Sequence, residues 1–192
     1  MTIYFSSDHH FSHRNIIKYC KRPFANIDAM NEALIERHNA RVRDEDVVYQ
    51  LGDFTLAGPK VARLMFSRLR GRIHVLGLPW HHDARWVPKH AGTSDFYSAS
   101  GHAVEILPPM LVLRPKLGGE RGKAHISLSH YPLAEWDAGH HGAWHLHGHS
   151  HGHHVEKGRR KLDVGVDCHG YAPISLDEVR AKLDAIPAPK RG

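Results

Sequence analysis

The chain has 192 residues, 41% of them hydrophobic and 24% charged, which suits one globular domain with a sizeable core. Its apolar runs are short and broken by charges, well under the roughly 18 residues of a membrane span, so no membrane partner is expected. The net charge of +6 favours anionic partners without choosing among them, because the basic residues are dispersed along the chain.

The opening MTIYFSSDHH lacks the basic-then-apolar pattern of a secretory leader. With Cys20 and Cys168 as the two cysteines, a cytoplasmic location and reduced thiols are expected. Ile3 to Ser7 reads as a first strand. A helix is expected from Asn26 to Val42, with Asn26 as N-cap and Ile27, Met30 and Leu34 on one face. Asp46 to Leu51 is a β-branched strand ending at Gly52. Pro59 to Leu69 suits a second helix, with Pro59 in the first turn and Gly71 closing it. Strands follow at Arg72 to Leu76, Val104 to Ile106, Met110 to Leu113 and His125 to Ser129, with a hairpin loop at Gly118 to Gly122. Trp144 to His147 and Leu162 to Val166 complete the strands, and Leu176 to Leu183 is a final helix. The expected fold is α/β with two packed sheets flanked by helices. Residues 1–184 form one domain and 185–192 a flexible tail.

Histidine is the compositional outlier, with 20 in the chain and nine between His130 and His154. It is a common metal ligand and the usual proton-transfer group near neutral pH. His140, His141, His145, His147, His153 and His154 read mainly as surface or strand histidines, and His13 could reach a substrate phosphate. Of Trp80, Trp86, Trp136 and Trp144, at least half are expected in the core.

The unusual residues fall just past strand ends, where open α/β architectures build their sites. Asp8 and His10 follow the first strand at spacing i, i+2, which puts both side chains on one side of an extended segment. Gly52-Asp53 ends the second strand; alone it reads as a turn, yet a carboxylate has two oxygens that can bridge two cations. His130 follows another strand, and Gly148-His149-Ser150-His151 places two histidines at i, i+2. Each ligand type ends a separate strand, and the types suit divalent first-row metals.

Together these motifs resemble the calcineurin-like metallophosphoesterase superfamily, in its small single-domain branch. That family's pattern runs D-x-H, G-D, G-N-H-D, a lone H, then G-H-x-H, and this chain follows the same order from Asp8 to His151. The resemblance implies a two-sheet αββα sandwich with helices outside. It also implies two divalent ions, Mn most suitably, with Fe, Zn, Ni or Co as alternatives. Asp8, His10 and His151 would hold the first, His130 and His149 the second, and Asp53 would bridge them. His82 would hydrogen-bond the phosphate and protonate the leaving oxygen, with Asp83 orienting it or raising its basicity.

One motif departs from the pattern, since the segment reads Gly77-Leu78-Pro79-Trp80-His81-His82-Asp83. Anchored on His82-Asp83, it puts His81 in the slot of the family's Asn ligand, where an imidazole can replace an amide oxygen. Anchored on Gly77, it puts Leu78 there and the second site loses a ligand. The function implied is hydrolysis of a phosphodiester or small phosphorylated metabolite by metal-activated water, a diester more readily than a monoester. Two alternatives stand beside it: a nuclease acting on single-stranded nucleic acid, motivated by the positive charge, and a non-catalytic interaction scaffold with a degenerate site.

Overall fold

A computed structural model describes residues 1–117, 122–153 and 158–187. Most of the expected hairpin loop, His154 and most of the tail lie outside these residues. The described chain builds two sheets. The larger contains β1 (Ile3–Ser6), β2 (Val47–Gln50), β3 (Arg72–Leu76), β4 (Gly92–Tyr97), β5 (Ala103–Leu107) and β10 (Ile174–Ser175). The smaller contains β6 (Met110–Leu113), β7 (Ile126–Ser129), β8 (Trp144–His147) and β9 (Lys161–Asp163). Strand order is β10-β1-β2-β3-β5-β4 in the first and β6-β7-β8-β9 in the second. Four neighbouring strands run parallel in the first, β1, β2, β3 and β5, and three in the second, β7, β8 and β9.

Alternation along the strands separates two apolar layers. Tyr4, Val48, Ile73, Val75 and Ile106 join Met30, Leu34, Ala62 and Phe66 from helices α2 (Ile27–Arg41) and α3 (Pro59–Phe66). Ile16 of the short helix α1 (Asn15–Tyr19) completes that layer. Phe5, Leu51 and Leu76 point the other way and pack with Ile126, Leu128, Trp144 and Leu146 of the smaller sheet. The resemblance implied helices outside both sheets. Helix α4 (Leu176–Asp184) instead sends Leu176, Val179 and Leu183 into the layer shared by the two sheets. On the other face of β8, His145 accepts the backbone N–H of Leu133 (3.0 Å) and lies against Trp136 (ring centroids 5.4 Å). A loop therefore covers that part of the smaller sheet.

Asn26 caps α2 by accepting the Ala29 N–H at 2.9 Å, as its position before an apolar-periodic segment implies. α3 starts at Pro59 but stops at Phe66, because the chain tightens into turns from Arg68 N to Met65 O and Leu69 N to Phe66 O. β4 went unread because it is an edge strand with Phe96 as its one buried residue, so its sequence GTSDFY carries no alternation. Trp86 and Trp144 are buried, while Trp80 is exposed.

The helix-side layer centres on an aromatic stack. Phe66 lies parallel to Phe54 at 4.0 Å and edge-on to Trp86 at 5.4 Å. Phe66 is fully buried, so Phe66→Ala is expected to cost about 3–5 kcal/mol, read as a lower denaturant midpoint. A loss below about 1 kcal/mol would mean the neighbours collapse into the space.

Candidate metal centre

The C-terminal ends of the parallel strands bring the unusual residues to one place. Past β1 the chain runs Ser7, Asp8, His9, His10; past β2 it runs Leu51, Gly52, Asp53. Backbone hydrogen bonds lock these segments side by side: Asp8 N to Gly52 O (3.0 Å), His10 N to Asp53 O (2.9 Å) and Phe11 N to Phe54 O (2.9 Å). From the other sheet, His130 follows β7 and His149 and His151 follow β8, with Gly148 N bonded to His130 O (3.0 Å).

Two groups result: Asp8, His10 and His151 in one, Asp53, His81, His130 and His149 in the other. Within each, one ligand-type atom per residue lies within 4.8 Å of all the others. Asp53 joins the groups. Its Oδ2 is 3.4 Å from His10 Nε2 and 3.6 Å from His130 Nε2, and its Oδ1 is 2.5 Å from His81 Nδ1.

The side chains do not converge through strand alternation, as the i, i+2 spacing suggested. Asp8, His10, Asp53, His149 and His151 all have left-handed backbones, with φ between 46° and 68°. That conformation is costly for non-glycine residues and collects at functional sites. The turns need glycine close by. A Cβ on Gly148 would sit 2.1 Å from Ser7 Oγ and 2.4 Å from Asp8 Oδ2, so the smallest residue is required there.

The donor set fits a cation on atomic grounds. His130 Nδ1 is 3.1 Å from Leu51 O, so that nitrogen carries the proton and donates it. His130 Nε2, buried and without a hydrogen-bond partner, then turns a lone pair toward Asp53 Oδ2. A bare lone pair facing a carboxylate is repulsive unless a positive charge lies between them. Among the described residues His10 is buried with no hydrogen-bond partner at either ring nitrogen. Burial pushes the Asp8 carboxyl up to about 7, with Asp163 adding to the rise against His151. It pushes Asp53 up to about 9, with Asp8 and Asp83 adding to the rise. Burial and neighbouring imidazoles hold His10 well below its ordinary value, and hold His130 at about 3 and His81 at about 4. His151 differs: burial lowers its pKa, but Asp167, Cys20 and Asp8 outweigh that and raise it to about 10. Carboxylates short of positive charge beside unprotonated His10, His81 and His130 are a state that a divalent cation relieves.

The segment Gly77 to Asp83 has one register in the structure. Leu78 is buried, close enough to clash with a Cβ at Gly52, while His81 brings Nδ1 to Asp53. His82 lies at the rim, its side chain 43% exposed and its Nε2 4.0 Å from Asp53 Oδ2. Asp83 corrects an expectation. It is fully buried, and its hydrogen bonds come from Phe54 N (3.0 Å), Thr55 N (3.1 Å) and Trp86 Nε1 (2.8 Å), with none from His82. A carboxylate engaged on that side cannot orient the His82 ring. It fixes the backbone just after Asp53 instead.

Sequence reading passed over four residues here. Tyr131 packs against His130 (4.9 Å), His149 (4.8 Å) and His81 (5.6 Å). Asp163 accepts Ser150 Oγ (2.8 Å), Gly152 N (2.9 Å) and Gly165 N (2.7 Å), which shapes the loop carrying His149 and His151. Buried Arg22 and partly buried Asp167 form a pair at 2.7 Å behind His151. Asp163 is the final residue of β9, and reading that strand on to Val166 put it mid-strand, where the strand-end criterion does not look. Asp167 directly follows Val166, within reach of that criterion, and was passed over all the same.

The chain is 33% identical over 183 residues to uncharacterized protein MJ1445 of Methanocaldococcus jannaschii, covering 91% of this chain and 87% of that one. The chain belongs to the MJ1445 family. No protein-family model matches it. The fold of this MJ1445-family chain is similar to the crystal structure of the protein of unknown function AQ665 from Aquifex aeolicus. That likeness has a TM-score of 0.60, 18% identity, and coverage of 94% of this chain and 98% of that one. At that identity the likeness concerns the fold alone. In the MJ1445-family chain no described helix is long and apolar enough to cross a membrane.

Proposed function

We propose that the protein is a dinuclear metal-dependent phosphoesterase of the calcineurin-like type, with an αββα core, hydrolysing a phosphodiester or a small phosphorylated metabolite. The observation that carries this reading is Asp53, one buried carboxylate within 3.6 Å of His10 and His130 and in contact with His81. A carboxylate shared by two sets of nitrogen donors is what a pair of bridged cations requires.

Asp8, His10 and His151 would hold one ion, His81, His130 and His149 the other, and Asp53 both. Ions bound there would supply Lewis-acid polarisation of a phosphoryl oxygen and acidify a water at neutral pH. The remaining chemistry belongs to the chain. His82 stands at the rim, where its imidazole can reach a phosphoryl oxygen or the leaving oxygen. Burial and the neighbouring His13, His149 and His151 keep its pKa below the ordinary value, and an anionic phosphoryl group beside the ring would oppose that lowering. In its protonated form His82 would serve the leaving oxygen as general acid. Asp83 holds the Phe54–Thr55 backbone and so keeps Asp53 aimed between the two ligand groups.

Five histidines beside two carboxylates favour borderline cations over hard ones. Chelator-treated protein is expected to regain hydrolysis of bis(p-nitrophenyl) phosphate with Mn²⁺ and to regain little with Mg²⁺. The diester should be cleaved faster than p-nitrophenyl phosphate. Full recovery with Mg²⁺ alone would contradict the ligand set, and inactivity on both esters across a metal panel would return the protein to the scaffold reading.

A further inference from the structure

Behind the two ligand groups lies a partly buried pair that the proposed reaction does not use. Arg22 is almost fully buried, and its guanidinium donates from Nε and Nη2 to the two oxygens of Asp167 at 2.8 and 2.7 Å. The same guanidinium donates to the backbone carbonyls of Asp8 (2.7 Å) and His9 (2.9 Å). Asp167 Oδ2 in turn lies 2.8 Å from His151 Nδ1. One cation thus grips the backbone of one candidate ligand and, through a carboxylate, the ring of another.

Cys20, His151 and Asp167 also lie close enough to suggest a third cation site. Asp167 argues against it, because a guanidinium already occupies both of its oxygens and would repel an incoming ion. The cluster is closed and points inward at His151.

We propose that Asp167, anchored by Arg22, is a positioning residue that fixes the tautomer and orientation of His151; this rests on the dinuclear reading above. Asp167 accepts the Nδ1 proton, which leaves Nε2 as a lone pair for the Asp8–His10 group. A carboxylate behind a ligating imidazole also raises its basicity, and removing such a partner commonly costs 10–100-fold in metal affinity. Arg22 keeps the carboxylate ionised and fixed, and ties its position to that of Asp8. The effect is local. His130 uses Leu51 O for the same purpose, so the second group has its own support.

The test is Mn²⁺ binding to the full chain, counted per protein after equilibration at a series of free-metal concentrations, with no substrate. Wild type is expected to hold two ions. Asp167→Asn is expected to hold one at a free concentration that saturates wild type, and to regain the second when free Mn²⁺ is raised roughly 10–100-fold. In a His151→Ala background, Asp167→Asn should change nothing further, because its effect passes through that ring. Where Asp167→Asn leaves Arg22 unpaired and the chain fails to fold, the paired change Arg22→Met with Asp167→Leu removes both charges and is read the same way. Two ions held with unchanged affinity, or equal weakening at both sites, overturns the positioning role. Wild type binding no cation overturns the dinuclear reading instead.

Discussion

Asp53→Asn is expected to abolish paired cation binding and to lower hydrolysis by more than the 10–100-fold typical of losing an outer partner. Among the described residues Asp53 reaches His10, His81, His130 and His82, so in the proposed site its charge is the one both ions would share. A unit charge about 4 Å from another is worth roughly 4 kcal/mol at an effective dielectric near 20, and proportionally more against a divalent ion. Asparagine keeps the shape and removes that term. The same change should raise the stability of the cation-free protein. Burial lifts the Asp53 carboxyl to about 9, and a carboxyl raised in the folded state opposes folding once pH exceeds its ordinary value near 3.8. That opposition grows with pH until it is complete above the folded value, so it is large at pH 7 and absent from the variant. Elemental analysis and thermal unfolding with and without chelator read both effects. A variant that still holds two ions tightly, or a cation-free variant that melts earlier than wild type, contradicts the bridge.

His81 and His82 should fail in different ways although they are neighbours. The Nδ1 of His81 touches Asp53 and its ring lies 4.9 Å from that of His130, inside the second group. His81→Ala is expected to lower occupancy there, and added metal should restore part of the rate. His82 is at the rim, so His82→Ala should keep both ions while lowering turnover by roughly the 10²–10⁴-fold of a lost general acid. The loss should shrink for p-nitrophenyl esters, whose leaving phenolate needs no proton, and be largest for alkyl esters. Metal content measured beside kcat on both ester types separates the roles. Occupancy governed by His82 and turnover governed by His81 would exchange the assignments. Unchanged metal and rate in both variants would remove the segment from the site.

Much of this arrangement was legible in the sequence because strand ends announce themselves. Asp8, His10, Asp53, His130, His149 and His151 each follow a β-forming run, and parallel strands deliver their C-terminal ends to one edge. His81 could be reached only by choosing between two registers; in the structure Leu78 is buried and His81 meets Asp53. Asp83 was misread because chain adjacency says nothing about direction: it is the second residue of the 3₁₀ turn His82–Arg85 and is buried, bonded to Phe54, Thr55 and Trp86 rather than to its neighbour's ring. Arg22 was illegible for another reason. Its partner lies 145 residues away, and a lone arginine in a basic chain reads as solvated surface. β4 and the two-residue β10 were missed because edge strands bury too few side chains to leave a period.

The left-handed turns at Asp8 and Asp53 narrow the alphabet these positions can draw on as the sequence drifts. Glutamate offers the same carboxylate to a cation, but short polar Asp and Asn are the non-glycine residues that tolerate φ near +55° best. Backbone geometry thus rejects a substitution that coordination chemistry would accept. β-branched residues are refused at His10, His149 and His151 on the same ground. Homologous chains sharing these turns should vary at the five positions among Asp, Asn, His and Gly, even where the bound ion differs.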